Sequence, residues 1–198
     1  MDAFTHQGTG RPTPLGPDGQ QHRDAPCSRR VGDHRARGLR MRLYRLSTAT
    51  YADRLDGEGA AIRGARWNPR RVPMIYTAAE PALAVLEVLA HFNARHEMPE
   101  DTVLVSYELS GRSGIRRPGR ASLPAGWDAQ GPPYSSAAQD YGASFIASPA
   151  VLLRVPSVLV RSQWNYLINP RTLPGRVRIV SIEPFTFDPR LLSALHPR

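Results

Sequence analysis

Two arginines, a tyrosine and one acid stand among apolar or small neighbours in one stretch of this chain. They are Arg45 in LYRLS, Arg66 in RGARWNP, Tyr76 in MIYTA and Glu87 in EPALAVLEVLAHF. A guanidinium presents a planar fork of donors that matches phosphate oxygens, so two of them suit a diphosphate. A lone carboxylate among aliphatic side chains suits the stabilisation of a developing sugar cation. Together they point to a pocket for a nucleotide diphosphate whose glycosidic bond is broken. Each residue also has a plainer reading. Arg66 could be a surface arginine, Tyr76 a core tyrosine at a strand end, Arg45 half of an internal ion pair, with Glu87 as a candidate partner, and Glu87 the start of the solvent edge of its helix. Trp67 and Asn68, in a turn opened by Gly64, point to a fixed loop whose backbone can approach a ligand closely. Helical spacing gives Glu87 the neighbours Leu83, Ala84, Ala90 and His91, so an inward-facing carboxylate there needs a partner.

The elements that must position these residues alternate in type. Residues 42–47 read as a strand, 51–63 as a loop with a helical turn, and 73–78 as a short buried strand. Residues 80–91 read as a helix, with Pro81 in its first turn and a stripe of Leu83, Leu86, Leu89 and Ala90. A strand is expected over 102–109, a Gly, Pro and Arg-rich loop over 111–133 and a helix over 137–146. Strands follow over 151–155 and 157–160. Asn165 and Asn169-Pro170 read as turn chemistry. A long alternating stretch covers 176–187, and a short helical end, capped by Asp188, covers 188–195. This mixture predicts a single α/β (α+β) domain around a central mixed β-sheet.

Bulk composition narrows the function classes. The chain has 198 residues and 41% hydrophobic content, enough for one core. No apolar run approaches the ~18 residues of a membrane helix. Residues 1–40 are polar and turn-forming, and read as a disordered extension or one arising from a start site placed too early. A domain over 41–198 then begins at MRLYRLST. Cys27 is the single cysteine, and with no secretory signal a cytoplasmic setting is expected. The net charge of +9 is carried on arginine with no lysine. It suits an acidic partner or an anionic nucleotide. No helix-turn-helix, zinc or RNA-recognition pattern accompanies it, so direct nucleic-acid binding is not expected. There is no metal-ligand spacing, no phosphate loop and no Rossmann fingerprint.

Four ordered motifs resemble the RES domain, a family named for an arginine, a glutamate and a serine. They are Gly64-Ala65-Arg66-Trp67-Asn68-Pro69, Tyr76-Thr77, the helical Ala84-Val85-Leu86-Glu87, and Val155-Pro156-Ser157 with Asn165-Tyr166-Leu167-Ile168-Asn169-Pro170. The resemblance implies a relative of ADP-ribosyltransferase toxins that binds NAD as substrate, without a further cofactor, and cleaves its nicotinamide–ribose bond. NAD would be lost to water or to phosphate as co-substrate, or ADP-ribose passed to a protein target. It implies the toxin half of a pair whose antitoxin has an Xre-like DNA-binding domain and covers the site. Arg45 and Arg66 would hold the diphosphate beside Trp67 and Asn68, Tyr76 would stack on or bond to nicotinamide, and Glu87 would stabilise the ribosyl cation. The motif Gln139-Asp140-Tyr141-Gly142 points to Ser136, with Ser135 beside it, as the family serine. Ser157 reads as structural. A non-catalytic partner-binding module is the reading from another class.

Overall fold

The computed structural model describes residues 40–91 and 99–191. The extension expected over 1–40 lies outside these residues but for Arg40, as does the end of the helix expected over 188–195. Among the described residues, seven strands and three complete α-helices follow in order. They are β1 (Arg40–Thr48), α1 (Glu58–Arg63), β2 (Ile75–Ala78), α2 (Pro81–Leu89), β3 (Thr102–Ser110), β4 (Ile115–Arg116), α3 (Ser136–Ile146), β5 (Leu152–Pro156), β6 (Trp164–Ile168) and β7 (Val177–Pro184). The strands form one sheet in the order β4-β5-β6-β2-β1-β3-β7. Only β4–β5 is parallel, so the expected mixed sheet is present.

Alternation along the strands builds a core on each face of the sheet. Leu43, Ile75, Val105, Tyr107, Leu152 and Ile168 pack on one side. Their chain neighbours Leu153 and Leu167 join Trp67, Met74 and Phe145 on the other, beneath α3. Burial on both faces explains why Val151, Leu152 and Leu153 are consecutively apolar rather than alternating. Between β1 and β2 the ladder is nearly absent. β1 pairs with β3 along all nine residues, yet meets β2 at the single pair Tyr44↔Ala78. Beyond that pair the two strands part, and α2 bridges them, with Leu83 and Ala84 against Ala78 and Tyr44.

Three expectations are corrected. The buried stripe of α2 is Leu83, Ala84 and Leu89, whereas Leu86 is 42% exposed. The helix is rotated from the expected phase, which turns Glu87 toward the sheet, since it follows Leu83 and Ala84 by four and three residues. Residues 157–160 are not a strand. They form the turn of the β5–β6 hairpin, where Ser157 Oγ accepts from the backbone N–H groups of Leu159 and Val160. Asn165 sits inside β6 rather than in a turn, while Asn169 does serve a turn, accepting from Arg171 N–H.

α3 starts at Ser135, whose hydroxyl oxygen caps the N–H of Ala138. Its buried positions Ala138, Gly142, Phe145 and Ile146 carry it onto the sheet. Gly142 lies directly beneath the carbonyl of Trp67, and a Cβ there would collide with that backbone. Gly142→Ala is therefore expected to lower stability by about 3 kcal/mol and Tm by roughly 6–12 °C. Gly59 in α1 has nothing within 4 Å of an added Cβ, so Gly59→Ala should gain ~0.5–1 kcal/mol. Thermal denaturation of both variants checks the pair. A wild-type Tm for Gly142→Ala would show that the loop yields.

Candidate functional site

The parting of β1 from β2 opens a cavity of about 570 Å³, within the range of small-molecule sites. Arg45 to Thr48 form one wall, Met74 and Tyr76 another, and α1 and Val88 of α2 complete it. Arg45 is half-buried, and its guanidinium lies against the hydroxyl of Tyr107. Burial pushes the Tyr107 phenol above its usual range, and the Arg45 charge partly offsets this.

The Tyr76 hydroxyl faces away from free solution and is fully engaged. It donates to Asn68 Oδ1 at 2.7 Å and accepts from the Trp67 N–H at 3.1 Å. Burial raises its pKa far above the ordinary phenol value, opposed by the Trp67 N–H bond, reinforced by Tyr134 and opposed again by the Arg66 charge. What Tyr76 offers the cavity is therefore its ring. Asn68 is wholly buried, and its Nδ2 donates to the carbonyls of Ala60, Pro69 and Val72. Trp67 is buried too, stacked on Trp127 with ring centroids 6.2 Å apart. Trp67 and Asn68 thus hold the loop that carries Arg66, and their side chains are turned into the protein. Arg66 donates through one terminal nitrogen to the carbonyls of Trp127 at 2.9 Å and Ala129 at 2.6 Å, with its guanidinium 5.1 Å from the Tyr134 ring centroid. Gln139 of α3 fixes the same loop by donating to the Ala65 carbonyl at 3.0 Å.

Glu87 is held by two donors on one oxygen. Its Oε1 accepts from Ser157 Oγ at 2.8 Å and from Asn165 Nδ2 at 2.6 Å. No arginine pairs with it among the described residues. The next residue, Val88, lines the cavity. The structure thus brings Arg45 and Tyr76 to one cavity, sets Arg66 close to Tyr76, and fixes Glu87 through Ser157 and Asn165. It does not bring Ser136 to Glu87. Ser136 is exposed at the first turn of α3, and Ser135 beside it is spent as the helix cap. The hydroxyl at Glu87 is that of Ser157, fully buried at the end of β5. Both missed partners stood in quoted motifs, Val155-Pro156-Ser157 and Asn165-Tyr166-Leu167. The β5–β6 register, pairing Pro156 with Trp164 and Val155 with Asn165, is what joins them.

The fold is a small α/β domain whose parted mixed sheet carries an arginine-bearing cleft and a carboxylate held by two hydrogen bonds. The chain belongs to the RES domain family, whose model matches residues 42–188. It is 35% identical over 159 residues to the Prs ADP-ribosylating toxin of Sphingobium sp., spanning 76% of this chain and 96% of that protein. It is 36% identical over 156 residues to Toxin Res of Pseudomonas putida, spanning 76% and 99%. Among solved structures, the crystal structure of the M. tuberculosis MbcT–MbcA toxin–antitoxin complex matches with a TM-score of 0.59 at 22% identity. That match covers 81% of this chain and 91% of the other, and it establishes the shared fold.

Tyr76 supplies a test of the loop's anchoring. Its folded pKa is raised, so its contribution to stability is fully present below about pH 10 and is lost as pH rises from there toward the folded value. Tyr76→Phe leaves Asn68 Oδ1 without its donor and is expected to cost about 1–3 kcal/mol at pH 8. The gap between wild type and variant should narrow above about pH 10. Urea denaturation across pH 8–11 checks this, and a gap that stays constant or widens with pH would contradict the burial of the hydroxyl.

Proposed function

We propose that this chain is the toxin of a toxin–antitoxin pair and that it breaks the nicotinamide–ribose bond of NAD, depleting NAD and arresting growth. The observation that carries the reading is the coincidence of a cleft lined by Arg45 and Tyr76 with a carboxylate, Glu87, held in place by Ser157 and Asn165. The names of the relatives, both toxins, support it. Arg45, with Arg66, would bind the diphosphate through charge-assisted hydrogen bonds. The ring of Tyr76 would stack on nicotinamide. The C–N bond breaks with its electron pair passing to the nicotinamide nitrogen, which leaves neutral. Glu87 stabilises the positive charge left on the ribose. Ser157, rather than Ser136, takes the part of the family serine by orienting that carboxylate. Water, phosphate or a protein side chain then bonds to the sugar carbon and gives up a proton. NAD is consumed as substrate, and these steps use no resident cofactor or metal.

A partner antitoxin covering the cleft fits the toxin reading, and an Xre-type DNA-binding domain is proposed for it on the family resemblance. Among the described residues no helix is long and apolar enough to cross a membrane, and a cytoplasmic site of action is proposed because NAD is abundant there. A second reading keeps the bond broken and changes the acceptor. The relative from Sphingobium sp. is named an ADP-ribosylating toxin, which favours transfer to a protein.

Glu87→Gln separates charge from architecture, because the amide oxygen can still accept from Ser157 and Asn165. The variant should keep the wild-type fold and lose about 10²–10³-fold in the rate of nicotinamide release. NAD and nicotinamide, measured in cells and with the purified full chain, give the readout. Undiminished nicotinamide release by Glu87→Gln would sink the role of Glu87, and no release by wild type would sink NAD cleavage. Labelling of one discrete protein by ADP-ribose, without bulk NAD loss, would select the second reading.

A further inference from the structure

The cavity grades from buried to open. Met74 on its inner wall is 1% exposed, whereas Tyr51 and Ile62 on its border are 54% and 65% exposed. Neither belongs to a core cluster, and both border the same cavity. Tyr51 ends a short 3-10 turn that follows β1, so the strand carrying Arg45 also delivers this ring. Its ring is not left alone. The Arg54 guanidinium lies 5.0 Å from the ring centroid and is tethered in turn to Glu58 at 3.5 Å. Tyr51, Arg54, Glu58 and Ile62 all border the same cavity as Arg45 and Tyr76.

An aromatic ring partnered by a guanidinium is a platform for a flat heteroaromatic base, since every base has a π face and the cation adds attraction. We propose that Tyr51 and Arg54, with Ile62 as a further apolar contact, form a subsite for a purine base, the adenine end of the dinucleotide. The inference rests on the NAD reading and deepens it. The reacting bond would lie at the inner end near Tyr76 and Glu87. The diphosphate would pass Arg45, and the base would reach the open border, where a stacked ring can stay partly hydrated. If the border instead served only a protein partner, nucleotide affinity would not depend on Tyr51.

Calorimetric titration of the purified full chain with ADP tests the subsite without turnover. Tyr51→Ala should raise the Kd for ADP about tenfold, and Tyr51→Trp should restore it. The variant lies on the surface, and its Tm should stay at the wild-type value. An unchanged Kd in Tyr51→Ala, or no ADP binding by wild type, overturns the proposal. In turnover, Tyr51→Ala should raise the KM for NAD about tenfold, with the larger part of the loss in KM rather than kcat. A loss confined to kcat overturns it as well. ADP binding that depends on Tyr51, in a chain that releases no nicotinamide, would keep the subsite and sink NAD cleavage. Nicotinamide release with a KM indifferent to Tyr51 would do the reverse.

Discussion

Three elements meet at one carboxylate oxygen. Glu87 Oε1 takes the Ser157 hydroxyl from the end of β5 and the Asn165 amide from β6, and Glu87 itself comes from α2. Bonds to an ionised acceptor are about twice as strong as neutral ones, and a carboxylate drawn against a sheet is costly without them. Ser157 also holds the two N–H groups of its own hairpin turn, and Val160 of that turn packs on the Ala78–Leu83–Ala84 cluster. The docking of α2, the shape of the hairpin and the aim of the acid are therefore one arrangement.

The loop of residues 64–69 shows why its motif is so recognisable. Four consecutive residues are each tied to another part of the chain. The Ala65 carbonyl takes Gln139, Arg66 reaches two carbonyls of the following loop, Trp67 stacks on Trp127, and Asn68 ties three carbonyls and a tyrosine. Gly142 is the floor on which this sits, and no side chain fits between. The pattern of residue types thus records packing as much as chemistry.

Elements with strong apolar periodicity were legible in the sequence. The first strand, the strand over 102–109, the helices near 80–91 and 137–146 and the mixed sheet all stand where the pattern set them. The phase of α2 was not legible, because Leu86 and Ala84 compete for the buried face and the sheet chooses the small residue that allows close approach. β4, two residues long in a segment rich in glycine and arginine, left no periodic trace. Arg45 and Tyr76 were legible as lining residues from type and family alike. Asn165 was misread as a turn residue, and the contact of Ser157 with Glu87 was not foreseen, because both depend on strand register, which local sequence does not encode. Ser136 drew attention through its position before Gln139, but the Ser135-Ser136 pair is a helix start.

The single pair Tyr44↔Ala78 divides the sheet into two blocks, β4-β5-β6-β2 and β1-β3-β7. Backbone hydrogen bonds stiffen each block internally but hardly cross the seam. The gap between the blocks is set instead by the helix lying over it, through Leu83, Ala84 and Leu89. The cleft is therefore walled by two strand blocks joined at one rung, with a helix as the spacer between them. Its width rests on the volume of Leu83, Ala84 and Leu89, none of which lines it, so substitutions at that spacer would retune the cleft while every lining residue stayed the same.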